Sequence, residues 1–69
     1  MNEPFLTTRQ LARRWGLQPA TLKRMRTRRT GPEWIHHPGH LPWGTERIRY
    51  PLHAVLAYEA ARSITPIEP

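Results

Sequence analysis

Between residues 4 and 32 the chain has no acidic residue, yet it carries Arg9, Arg13, Arg14, Lys23, Arg24, Arg26, Arg28 and Arg29. A solvated protein face normally mixes signs, because unrelieved like charge repels itself and works against a compact state. A one-sign segment therefore points to a polyanionic partner. Its second half, residues 17–32, reads as a short helix that starts at Pro19 and stops before Gly31-Pro32, since proline suits the first helical position and Gly-Pro cannot continue a helix. Leu22 and Met25 fall on one face at three-residue spacing. Ala20, Lys23, Arg24 and Thr27 fall on the other, with Thr21 and Arg28 flanking them. A narrow apolar edge backed by a basic face suits a helix held against a small core while it offers Thr and Arg side chains to an anionic groove.

With 69 residues there is room for one domain and one small core. The absence of cysteine removes disulfides, thiolate metal sites and cysteine nucleophiles together, and no apolar run approaches the roughly 20 residues a membrane span needs. The N-terminus carries Glu3 and no hydrophobic signal core, so a soluble cytoplasmic protein is expected. Ten of the eleven basic residues are arginine, whose planar fork suits guanine and phosphate better than an ammonium group does. The net charge of +6 would also attract acidic lipid, but no helix presents a bulky apolar face for insertion, so no membrane partner is expected.

Residues 1–5 read as a short arm, with Phe5 folding back onto the core. Thr7-Thr8-Arg9-Gln10 fits a capping box in which Thr7 and Gln10 satisfy one another's backbone, and Leu6 can staple onto Leu11. Leu11, Ala12 and Trp15 form the apolar stripe of this first helix, and Gly16 ends it. Arg9 and Arg13 lie four apart with like charge, a pairing that phosphate would relieve. Gly16-Leu17-Gln18 is a tight connection to the second helix, which makes a helix-turn-helix pattern, although Gln18 is a poor capping residue.

After Pro32 the periodicity becomes that of strands. Residues 33–37 and 47–50 read as two strands, the second alternating so that Ile48 and Tyr50 share one face and Arg47 and Arg49 the other. Pro38-Gly39 and Trp43-Gly44 are turn signals between them, giving a hairpin with a long tip, a wing. Pro51 opens a third helix that runs to about Arg62. Residues 63–69 contain Pro66 and Pro69 and lack periodicity, so a flexible tail is expected there. The expected fold is α+β, mainly helical: a winged helix-turn-helix over residues 6–62.

Leu6-Thr7-Thr8-Arg9-Gln10-Leu11-Ala12-Arg13-Arg14-Trp15-Gly16-Leu17-Gln18-Pro19-Ala20-Thr21-Leu22-Lys23-Arg24-Met25-Arg26, followed by Thr30-Gly31-Pro32 and Arg47-Ile48-Arg49-Tyr50, resembles the excisionase and AlpA-like family of small winged-helix proteins, related to the DNA-binding part of MerR-type regulators. The resemblance implies that the second helix lies in the major groove and that the hairpin reaches the adjacent minor groove or its phosphates. It also implies a role as a recombination directionality factor working with an integrase, or as a small transcription regulator. By position, Gln18, Ala20, Thr21, Arg24 and Arg28 match DNA-facing places, and Leu22 and Met25 match buried ones. The family often has Ser at the position of Gln18, a basic residue at Ala20 and Trp at Met25. The tip from Pro38 to Glu46 is longer than the common pattern.

Lys23 and Arg29 extend the basic surface of the second helix, and Arg13, Arg14, Arg47 and Arg49 are expected to contact phosphates. His36, His37 and His40 are the residues that would draw a metal, but a site needs three or four converging ligands and neither Cys nor Asp occurs, so no metal or other cofactor is expected. No nucleophile has an orienting partner at meaningful spacing, which argues against an enzyme. Trp15, Trp34 and Tyr58 read as core. Leu41 and Trp43 at the wing tip, with Ile64 and Ile67 in the tail, are the apolar material for head-to-tail contact between copies on double-stranded DNA. Two readings compete with DNA binding: an RNA-binding module, for which Trp43 is the only candidate stacking aromatic, and a protein-interaction adaptor built on the tip and tail.

Overall fold

Thr7 sets the start of the first helix in the way its sequence predicts. In the computed structural model, which describes residues 4–36 and 48–67, Thr7 Oγ1 accepts from the Gln10 amide at 3.0 Å and Gln10 Oε1 accepts from the Thr7 amide at 2.9 Å. The helix that follows, α1, spans Thr8–Trp15 and ends at Gly16, which takes left-handed φ 69° and ψ 31°. Ile67 lies over Gly16, so a Cβ there would sit 2.8 Å from Ile67 Cδ1 and would displace the end of that side chain. Leu17 and Gln18 complete a three-residue turn, and α2 spans Pro19–Arg28 with Pro19 in its first turn. Gln18 makes no side-chain capping bond, in keeping with its poor fit to that position.

The strands depart from expectation in number. Phe5–Thr7 is not a loose arm but a strand, β1. With β2 (Ile35–His36) and β3 (Ile48–Pro51) it forms an antiparallel sheet in the order β1-β3-β2. Leu6 pairs with Tyr50 and Thr7 with Arg49, while Ile35 pairs with Arg49 on the other side. A three-residue strand that runs directly into a capping box has no visible alternation, so only its partner β3 reveals it. The expected alternation in β3 holds: Tyr50 is buried and Ile48 packs on the core. Helix α3 spans Leu52–Arg62, entered from Pro51 without a side-chain cap. Among the described residues the architecture is thus α+β, with three helices and a three-stranded antiparallel sheet.

The core is small. Leu11, Ala12, Leu22, Tyr50 and Val55 are buried, with Leu6, Trp15, Met25 and Ile48 packed around them, so each of α1, α2, β3 and α3 contributes at least one side chain. At about 1.5–3 kcal/mol for each fully buried large apolar side chain, so short a list leaves polar contacts a large share in fixing how the elements sit. Trp34, expected in the core, is 39% exposed beside β2 instead. The tail also differs from expectation. The Ile64 amide donates to Glu59 O at the end of α3 at 2.9 Å, and the segment then reaches α1, where the Ile67 amide donates to Arg14 O at 2.8 Å. Two backbone bonds order a segment whose composition alone suggested none. Among the described residues no helix is long and apolar enough to cross a membrane.

Candidate nucleic-acid interface

Helix α2 is anchored by Leu22, which has no exposed surface, and by half-buried Met25. Because side chains repeat every 3.6 residues, that anchoring turns Ala20, Lys23, Arg24 and Thr27 outward, and all four are exposed together with Gln18, Arg28 and Arg29. Thr21 is half-buried at the edge of this face and accepts from Arg24 Nη2 at 3.4 Å, a long contact that leaves the guanidinium largely uncommitted. Thr27 turns its hydroxyl back onto Lys23 O at 3.2 Å. Neither end of α2 carries an acid: its first turn has none, and its last turn has Arg26 and Arg28. Arg29 closes the helix in a left-handed conformation, φ 56° and ψ 40°, so its side chain leaves the helix end at an angle that no helical residue would take.

Among the described residues, the two acids lie off this surface. Glu33 is exposed after the helix, and Glu59 is buried in α3. Glu59 accepts from Arg14 Nε at 2.7 Å, from Arg14 Nη2 at 2.9 Å and from Trp15 Nε1 at 2.6 Å. The Arg14 hydrogen bonds hold the Glu59 carboxyl below its ordinary range, against the opposing pull of burial and with help from the Trp15 N–H. The same bonds raise the Arg14 guanidinium, again against burial. Arg14 therefore corrects an expectation: predicted to contact phosphate, it is committed to a bidentate pair inside the protein, with 13% of its side chain exposed. A guanidinium facing a buried carboxylate cannot leave for solvent phosphate without stranding that carboxylate.

The remaining expected contacts divide by position. Arg9 and Arg13 are exposed on α1. Arg49 is half-buried in β3 and donates to the Ile48 carbonyl at 2.9 Å, so it is oriented along the sheet. Ile64 is half-buried, and the Ile67 side chain is 69% exposed beside Gly16. Arg47, Leu41 and Trp43 lie outside the described residues, as do His37 and His40; His36 is exposed in β2.

Two residues that matter were not singled out from sequence as functional. Arg26 turns inward, its Nη1 donating to Tyr50 Oη at 2.7 Å and to Thr8 Oγ1 at 3.1 Å. Its place four residues after Leu22 was the available signal. Glu59 was legible in the same way, as a lone acid four residues after buried Val55. Trp15 stacks on Tyr58 at 5.6 Å between ring centroids, and Tyr58 Oη donates to Thr30 O at 2.9 Å, which ties α3 to the segment after α2. Comparisons of the chain with protein-family models, with curated proteins and with solved structures find no match.

Proposed function

We propose that this chain is a winged helix-turn-helix protein that binds double-stranded DNA sequence-specifically through α2, and that it acts as an excisionase-type recombination directionality factor, bending DNA for a partner integrase without chemistry of its own. The observation that carries the reading is the outer face of α2, where Gln18, Ala20, Lys23, Arg24, Thr27, Arg28 and Arg29 are exposed with no acid among them while Leu22 is fully buried behind. In this reading α1, the turn and α2 form the helix-turn-helix, and β2 and β3 form the base of the wing. Gln18, Thr21 and Arg24 face base edges. Lys23, Arg28 and Arg29 meet phosphates on one flank, and Arg13, Arg49 and Arg47 meet them on the others.

A helix of ten residues is about 15 Å long and covers only a few base pairs. Specificity over a genome then calls for several copies acting together, through head-to-tail contacts that use the Leu41 and Trp43 tip or the tail at Ile64 and Ile67. The exposed side chain of Ile67, on a backbone tied to α1, favours the tail for this contact. A gel-shift comparison of duplex DNA with RNA of matched sequence tests the central claim. Duplex binding that resists random competitor supports it, and equal or tighter binding to RNA overturns it.

A further inference from the structure

Leu22 and Arg26 are four residues apart and share the inward face of α2. Leu22 is fully buried and Arg26 half-buried. Arg26 Nη1 donates to Tyr50 Oη at 2.7 Å and to Thr8 Oγ1 at 3.1 Å, and its guanidinium carbon lies 5.9 Å from the ring centroids of both Trp34 and Tyr50. One side chain of α2 thus touches the first residue of α1, the middle of β3 and the residue that leads into β2. Among the described residues no carboxylate reaches it. A cation taken partly out of water, whose partners among the described residues are all neutral, is a poor device for stability alone, since an apolar side chain of similar length would fill the same space without the desolvation cost.

What the hydroxyl partners supply is direction. Apolar burial is non-directional, so Leu22 and half-buried Met25 decide which face of α2 turns inward but set its rotation only coarsely. A planar guanidinium with two hydrogen-bond acceptors one turn along the same face does fix that rotation. The amount at stake is functional: turning a helix by about 20° moves a side-chain tip about 6 Å from the axis by about 2 Å, more than a hydrogen bond to a base edge tolerates.

We infer that Arg26 is a positioning residue of the reading helix, setting the rotation of α2 against β3, and hence the alignment of Lys23, Arg24 and Arg28 with the hairpin strands, without itself touching nucleic acid. The inference rests on the assignment of α2 as the DNA-reading helix. Its test compares wild type with Arg26→Met, Arg26→Lys and Tyr50→Phe on a duplex that wild type selects from a random-sequence pool, and on random duplex, over a salt series with thermal unfolding recorded in parallel. Arg26→Met and Tyr50→Phe are each expected to cut the preference for the selected duplex by about tenfold while the slope of log affinity against log salt stays within about 0.3 of wild type, because no phosphate contact is lost. Arg26→Lys, which can still donate to Tyr50, recovers part of the preference. A slope lowered by about one unit in Arg26→Met overturns the inference by making Arg26 a phosphate contact. Unchanged preference in both variants overturns it by making the cluster purely structural, and loss of the folding transition in both overturns it by making the cluster a requirement of the fold. Wild type that selects no duplex removes the DNA-binding assignment and this inference together, whereas wild type that selects one while folded variants match it removes only the inference.

Discussion

Arg24 and Arg26 stand two residues apart on α2 and differ by a half-turn in what they meet. Arg24 is exposed with one long contact to Thr21, and Arg26 is drawn in by Tyr50 and Thr8. If Arg24 makes a bidentate base contact, Arg24→Ala costs about 1–3 kcal/mol on the selected site and much less on random duplex, a difference that competition binding reads directly. Equal losses on both would reduce Arg24 to a phosphate contact. Arg29 allows a second prediction in which stability and binding move oppositely. A non-glycine residue at φ 56° is strained, so Arg29→Gly is expected to stabilise the fold by about 0.5–1 kcal/mol. For a domain of this size that raises the melting temperature by roughly 2–8 °C. Because the substitution also removes an exposed cation, the salt slope of duplex binding should fall by about one unit if Arg29 meets phosphate. A melting temperature that drops would show that the Arg29 side chain holds the helix end in some further way.

Helices α1 and α3 are joined by a charged cluster at Glu59 beside the stack of Trp15 on Tyr58. The Glu59 carboxylate takes three hydrogen bonds from Arg14 and Trp15, and the tail closes over the same helix end through Ile67. Hydrogen bonds to charged groups contribute about 1.5–3 kcal/mol, so Arg14→Ala is expected to destabilise the protein by about 2–3 kcal/mol, measured by chemical denaturation. A loss confined to DNA affinity, with stability intact, would return Arg14 to the interface. The sign of the pH dependence follows from the lowered Glu59 carboxyl. The unfolded chain takes up this proton at a higher pH than the folded one does. The contribution of Glu59 is therefore fully present above the ordinary carboxylate range and is lost as the pH falls through that range toward the lowered folded value. Glu59→Gln should flatten this acid limb of the stability profile while lowering stability near neutrality, and an unaltered acid limb would mean that another carboxyl governs it.

At the scale of the whole molecule, a charge of +6 on 69 residues favours fast, salt-sensitive encounter with polyanions, and it does not by itself select a sequence. A single module buries on the order of 600–1,000 Å² of protein surface on DNA, which is why the proposed function invokes several copies. A head-to-tail contact need not close on itself and propagates along adjacent sites, bending the DNA if the sites are phased. Binding to one, two and three tandem sites by wild type, Trp43→Ala and Ile67→Ser checks this. Wild type is expected to occupy multiple sites cooperatively, with at least one variant reverting to independent occupancy. Independent occupancy by wild type, or an isolated two-fold dimer as the only bound species, would sink the array and favour a small transcription regulator on the same fold.

What the sequence determined by itself was local. The Thr7 and Gln10 capping box, the Gly16 stop, Pro19 at the head of α2 and the alternation around Tyr50 each depend on residues within a few positions of one another, and the structure repeats them. The outward basic face of α2 was legible for the same reason, since one buried residue, Leu22, fixes which side faces solvent. Only the tertiary structure decided which arginines remain on that surface. Arg14 and Arg26 are indistinguishable in composition from Arg13 and Arg24, but Glu59 lies 45 residues beyond Arg14 in the chain and Tyr50 lies 24 beyond Arg26. β1 was hidden likewise, because three residues carry no period and its partner strand comes more than forty positions later. Trp34 is exposed beside β2, and the tail is tied to α1 by the Ile67 amide, placements that no local pattern announces. Charge and local pattern follow from nearest neighbours, whereas the partner of a long side chain is set by which distant elements the small core brings within its reach.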